Sequence, residues 1–183
     1  MKATEQLIQE HNDVLQMLKI LGSAATKLEN GADVNPLHLE AVLEFLITFV
    51  DKCHHGKEEK LLFPALINKG IAKDNGPVGV MLSEHVSGRA FIKGMSDAVT
   101  AYRNGNSSVI PEFINNARGY IILLNQHIMK ENNILFRMAD NALSEAEQNQ
   151  LFQEFDKLET TEIGADIHHK YHAMLQELQE IYS

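Results

Sequence analysis

Two stretches of this chain, His54-His55-Gly56-Lys57-Glu58-Glu59-Lys60-Leu61-Leu62-Phe63 and His127-Ile128-Met129-Lys130-Glu131-Asn132-Asn133-Ile134-Leu135-Phe136, share one pattern: His-x-x-x-Glu, followed four residues on by Leu-Phe. On a helix, residues four apart lie one above the other, so each stretch presents an imidazole and a carboxylate side by side to a common centre. Imidazole nitrogen and carboxylate oxygen both ligate metals, and a carboxylate can bridge two ions. Two such pairs facing one another make a site for two metal ions.

Two further histidines complete the set. Glu10-His11 and Glu84-His85 are separated by nearly the same interval as His54 and His127. The chain therefore reads as a duplicated helical hairpin, each copy giving a lone histidine from one helix and a His-x-x-x-Glu pair from the next. His11, His54, Glu58, His85, His127 and Glu131 all fall on otherwise apolar stripes, so a bundle would bury them with their neighbours. A buried, unpaired carboxylate costs several kcal/mol, or takes up a proton. Two metal ions compensate all six groups at once. A metal-free His-Glu hydrogen-bond network is the bland alternative, and its occurrence twice in one chain counts against it.

Register selects among adjacent residues. Aligning Leu62-Phe63 with Leu135-Phe136 sets His54 opposite His127 and Glu58 opposite Glu131, leaving His55 and Glu59 opposite Ile128 and Asn132. His54 and Glu58 are the expected pair, with His55 and Glu59 as the alternative register; on the first, Glu59→Ala leaves the ions bound. Neighbouring helical residues point about 100° apart, which assigns Glu10 and Glu84 to an exposed face; the alternative role for them is to accept an imidazole N–H. Tyr120 is expected in the core, Arg89 in an outward salt bridge, and Cys53 as a buried inert thiol. His168 and His172 share the four-residue spacing but belong to an outer helix, where a solvated or capping role is expected. His38 and His169 read as surface residues.

The elements that must position these groups are helices almost throughout, because apolar residues recur at alternating steps of three and four. The first runs from Thr4 as N-cap to a stop at Asn30-Gly31. The second starts at Asn35-Pro36 and continues to Lys69-Gly70, with a kink expected at Pro64. A third carries Val78 to Tyr102 and ends at Asn104-Gly105-Asn106; a fourth runs from about Pro111 through Met138. Four long helices with short connections imply an all-α, antiparallel four-helix bundle over residues 4–140. Additional C-terminal helices follow over 144–181, opened by the capping box Ser144 to Glu147, broken at Gly164 and packed on the bundle exterior.

Composition narrows the function classes. The 183 residues, 44% apolar, suit one domain. The net charge of -9 argues against a nucleic acid or an anionic membrane as partner. A single cysteine, Cys53, excludes an intramolecular disulfide and fits a reducing, cytoplasmic compartment. No stretch approaches the ~20 apolar residues of a membrane span.

At Cys53-His54-His55-Gly56-Lys57-Glu58-Glu59 with Leu62-Phe63-Pro64, and at Gln126-His127-Ile128 through Glu131 to Leu135-Phe136, the chain strongly resembles the hemerythrin-like, or HHE cation-binding, family, over roughly residues 4 to 140. The resemblance implies a non-haem di-iron centre: His11 and His54 on one iron, His85 and His127 on the other, Glu58 and Glu131 bridging, with an oxo or hydroxo bridge and an open position for a small exogenous ligand. Imidazole and carboxylate suit manganese or zinc as well, so iron rests on the resemblance. The oxygen-carrying members have His-x-x-x-His on the third helix and His-x-x-x-x-Asp on the fourth; here Arg89 stands four residues after His85, and the fourth helix has His127-x-x-x-Glu131. That pattern is more similar to bacterial di-iron proteins associated with repair of iron centres after nitrosative or oxidative stress, which usually add an N-terminal cysteine-bearing domain absent from this sequence. The expected function is a cytoplasmic di-iron protein that binds or senses oxygen, peroxide or nitric oxide. The alternatives are a di-iron enzyme reducing nitric oxide or decomposing peroxide, and an iron-donation or iron-centre repair protein. A ferritin-like oxidase is disfavoured, since that architecture uses Glu-x-x-His and the chain contains none.

Overall fold

In the computed structural model, which describes residues 1–164 and 167–182, the regular elements are all helical. Helix α1 spans Ala3–Glu29. Its N-cap is Lys2, whose backbone N–H donates to Glu5 at 2.9 Å. Thr4, expected as the cap, instead lies buried in the first turn, because its hydroxyl donates to Asp140 across the bundle at 2.8 Å. The helix ends where expected, with Gly31 at φ +75°, a conformation that costs glycine little.

The second rod is the least regular. It opens as α2 (Pro36–Phe45), with Asn35 accepting the Leu37 N–H. Wide π turns follow over Leu46–His55 and Glu58–Leu62, before α3 (Phe63–Asn68). Pro64, where a kink was expected, follows these wide turns. The wide turns upstream shift the hydrogen-bond register, so Pro64 sits in the first turn of α3, where its missing N–H breaks no helical bond. Helix α4 (Pro77–Arg103) forms the third rod. The fourth is α5 (Ile110–Lys130), a π turn at Glu131–Leu135, and α6 (Phe136–Ala142). Helix α7 (Glu145–Leu158) begins at the expected Ser144–Glu147 capping box. A further π turn, Glu159–Ile163, ends at Gly164 with φ +124°, and α8 occupies Ile167–Tyr182.

Helices α1 and α4 each pack between α5 and the second rod, giving the four-helix bundle that the periodicity predicts. The apolar core is divided in two. One cluster runs from Val14, Val50, Ile92 and Leu124 towards the far end. The other holds Leu7, Leu62, Phe63, Met81, Leu135 and Phe136. Between them, on all four rods, lies the level of the repeated spacing: His11, His54, His85 and His127.

The C-terminal helices lie outside the bundle, against the face between α1 and the second rod. Helix α7 sends Leu151 and Phe155 into the smaller cluster, while Tyr171, Leu175, Leu178 and Tyr182 of α8 join the larger. Tyr171 stands edge-on to Phe45 and Phe49, with ring centroids 5.4 and 5.9 Å away. None of the described helices is long and apolar enough to cross a membrane. Replacing Tyr171 with alanine removes this anchor and should cost about 3 to 5 kcal/mol of unfolding free energy in urea; a loss under about 1 kcal/mol would show that α8 is not docked on α2.

Candidate metal centre

The six residues singled out by spacing converge in the layer between the two apolar clusters, all 2% exposed or less. The two carboxylates have the same arrangement. Glu58 turns Oε1 towards His54 Nε2 (3.7 Å) and Oε2 towards His85 Nε2 (3.5 Å). Glu131 turns Oε2 towards His11 Nε2 and Oε1 towards His127 Nε2, both at 3.2 Å. Each carboxylate thus spans two histidine sets, one built from His11 and His54, the other from His85 and His127.

A seventh residue belongs to the layer. His55, expected to fall outside the site in the preferred register, is buried and stacks on His85 with centroids 3.8 Å apart. The ligating atoms form two groups that could each hold an ion: His11, His54, Glu58 and Glu131, and His55, Glu58, His85 and His127. His54 and His55 both lie in the layer, one in each group. A π turn carries one more residue than an α turn, and within Leu46–His55 it lets adjacent residues both reach the interior. Residues 53 to 58 are buried without interruption. The bundle encloses His54, His55 and Glu58, while Cys53 and Lys57 face the C-terminal helices.

The far side of each imidazole is also fixed. His54 Nδ1 donates to Glu10 (2.8 Å), His127 Nδ1 to Glu84 (2.9 Å), His85 Nδ1 to Glu59 (2.7 Å) and His11 Nδ1 to Asn132 (2.8 Å). This corrects the exposed placement of Glu10, which is buried, and of Glu84, which is mostly buried, and gives Glu59 a contact with His85. A residue beside a core position is turned about 100°, which in a bundle faces the adjacent helix rather than water. The duplication extends to these acceptors: the residue before each lone histidine serves the next helix, and the residue after each central glutamate serves the other hairpin. The repeated Glu-His dipeptide was the signal in the sequence. A neutral imidazole that donates its Nδ1–H to a carboxylate has its lone pair on Nε2, so in their neutral form His54, His85 and His127 present Nε2 lone pairs to the centre. Each carboxylate has its own cation: Lys57 on Glu10 at 2.5 Å, Arg89 on Glu59 at 2.6 Å, and Lys130 on Glu84.

The centre itself is electrostatically incomplete. Both oxygens of Glu58 and Glu131, Nε2 of His11 and His54, and both ring nitrogens of His55 are buried with no hydrogen-bond partner among the described residues. His85 Nε2 and His127 Nε2 approach to 3.2 Å. Burial and the neighbouring Glu131 push the Glu58 carboxyl well above its ordinary range. Burial lowers His54 to about 4 despite its bond to Glu10, and burial with the adjacent His85 takes His55 well below its usual value. Burial would raise Glu10, yet the His54 hydrogen bond and the Lys57 charge hold it at about 2. Nitrogens and oxygens converging in two buried groups, several of them without a hydrogen-bond partner among the described residues, fit a bound cation.

The other expectations resolve simply. Arg89 lies on the bundle side, paired with Asp51 at 2.8 Å as well as with Glu59, in the outward salt bridge expected of it. Tyr120 is core, as expected, its ring against Gly88. His172 and His169 are exposed, and His38 contacts Tyr182 Oη at 3.0 Å. His168 is only one-third exposed and pairs with Glu159 at 2.8 Å. Cys53, Glu159 and His168 also group closely, but the Lys57 ammonium, 2.7 Å from Glu159, already supplies the positive charge there. The Cys53 thiol is pushed up to about 12 by burial, consistent with an inert group.

With this geometry in place, the comparison with known families is direct: the hemerythrin HHE cation binding domain matches residues 2–139. The chain belongs to that family. It is a cation-binding helical bundle of the hemerythrin type, extended by α7 and α8 beyond the matched region. No curated protein matches it.

Two outcomes follow. Glu59→Ala should not be neutral, since it frees His85 Nδ1; loss of such an acceptor typically weakens metal binding about 10- to 100-fold, and competition with a chelator measures it. In metal-free protein, His54 has a folded pKa near 4 against 6.5 for the free side chain. The unfolded chain therefore binds a proton that the folded one refuses, so stability should fall as pH drops through that window. Urea unfolding at several pH values reads this directly, and a flat profile would contradict a neutral, buried His54.

Proposed function

We propose that this protein is a non-haem di-iron protein that binds or senses a small oxidant, either dioxygen, peroxide or nitric oxide, in the cytoplasm. The observation that supports it best is the paired orientation of Glu58 and Glu131, each with one oxygen towards His11 or His54 and the other towards His85 or His127. Carboxylates so placed are suited to bridge two ions, one held with His11 and His54, the other with His55, His85 and His127. The second set has one more nitrogen, so the two positions differ, and the one with fewer protein donors has more room for an exogenous ligand. Iron, when bound, would supply reversible electron transfer and a place for that ligand.

The chain's own residues supply the rest. The apolar clusters above and below the layer exclude bulk water while admitting diatomic molecules by local breathing. Glu10, Glu59, Glu84 and Asn132 orient the imidazoles and hold their Nδ1 protons. A lone reduced cysteine fits the cytoplasmic placement.

Metal analysis with the ultraviolet-visible spectrum, before and after reduction and air exposure, tests this reading. About two irons per chain, with charge-transfer bands that bleach and return, are expected; zinc, or no metal after anaerobic reconstitution with iron, overturns it. Turnover of peroxide or nitric oxide with a reductant would move the assignment from sensor to enzyme. Glu131→Ala should remove at least one ion per chain, and His55→Ala should weaken one ion while leaving the other bound.

A further inference from the structure

Three cations neutralise the three carboxylates that orient His54, His85 and His127, but they are not equivalent. Arg89 is 40% exposed and Lys130 31% exposed, so water shares their solvation. Lys57 is fully buried. An ammonium removed from water needs close anionic partners, and one carboxylate leaves its remaining protons poorly satisfied. Lys57 has two: Glu10 at 2.5 Å and Glu159 at 2.7 Å. Glu159 belongs to the π turn after α7, outside the family-matched residues 2–139. Its Oε1 meets His168 Nε2 at 2.8 Å, and the Cys53 thiol donates towards Oε2, the oxygen that faces Lys57, at 3.8 Å. A continuous polar chain thus runs from the centre to the extension: His54, Glu10, Lys57, Glu159, His168.

We propose that Glu159 is a positioning residue for the metal position built on His11 and His54, acting through Lys57 and Glu10. The inference rests on the metal-binding reading above. By sharing the ammonium, Glu159 keeps Lys57 from neutralising Glu10 completely. Glu10 retains negative charge for the His54 Nδ1–H, which strengthens Nε2 as a donor. Glu159 also balances a buried positive charge close to where a cation would bind. Both effects favour an ion beside His54, and neither reaches the His85 and His127 side, whose orienting carboxylates have their own cations. The C-terminal extension thereby makes the two halves of a duplicated site unequal from outside the duplication.

The test is anaerobic titration of the metal-free full chain with iron(II) alone, in competition with a chelator, on wild type, Glu159→Gln and Glu159→Asp. Wild type should take up two ions. Glu159→Gln should bind one with wild-type affinity and the other about 10-fold more weakly, while Glu159→Asp, which keeps the charge, recovers most of the loss. With iron-57 loaded, only one of two Mössbauer quadrupole doublets should shift in Glu159→Gln. A purely structural role predicts otherwise: Tyr171→Ala, which loosens α8 without touching Glu159, would reproduce the effect, and both ions would weaken together. In a Lys57→Gln background, Glu159→Gln should add nothing, since the two act through one contact. Unchanged affinities, equal weakening of both ions, or additivity with Lys57→Gln would overturn the proposal and leave the metal centre standing. A wild-type chain that takes up no ion would overturn the centre, and this inference with it.

Discussion

The structure depends on one constraint: a layer of imidazoles and carboxylates buried across the middle of an apolar bundle must be compensated from within. The Glu58 and Glu131 oxygens, Nε2 of His11 and His54, and the His55 ring nitrogens are buried with no hydrogen-bond partner among the described residues. Such groups cost several kcal/mol each when unpaired. The fold answers in two ways. Outward-facing Nδ1 atoms are paired with Glu10, Glu59, Glu84 and Asn132, and inward-facing atoms converge into two groups able to hold a cation.

The hydrogen bonds around the imidazoles tie the layer to the bundle. His11, His54, His85 and His127 are each held by an acceptor on a neighbouring rod, so none of these four rings can rotate without breaking a bond between helices. The bundle and the site are therefore one set of interactions. Removing an acceptor loosens both an imidazole and a helix pair, while the core clusters on either side of the layer maintain the helix spacing.

Asymmetry enters where the duplication is imperfect. The second and fourth rods both have a π turn beginning at the central glutamate, but the long π stretch over Leu46–His55 has its counterpart in the regular helix α5. The turn over Leu46–His55 adds His55 to one half, and the same distortion buries Lys57 on the opposite side, under the C-terminal extension. Glu59 has its counterpart in Asn132, so His11 alone is oriented by an amide and has no cation behind it. Two positions that are equivalent in the motif thus differ in nitrogen count, charge and exposure.

The repeated His-x-x-x-Glu and Glu-His patterns were sufficient to determine an all-α bundle of this family and the six residues that meet at its centre, because helical periodicity is local and burial of polar groups on an apolar stripe is visible in composition alone. The helix limits near Asn30, Asn35, Asn104 and Ser144 were legible for the same reason, each resting on a capping or turn residue. The inclusion of His55 was not legible, since a π turn is imposed by packing and leaves the α-helical spacing of the text unchanged. Nor was the burial of Glu10 and the partial burial of Glu84, which single-helix geometry places away from the core and only the adjacent rod covers. Lys57 shows this most plainly: as a sequence letter it is an ordinary surface lysine, and what buries it is Glu159, about a hundred residues away along the chain, brought near only when the last helices fold back over the face between α1 and the second rod.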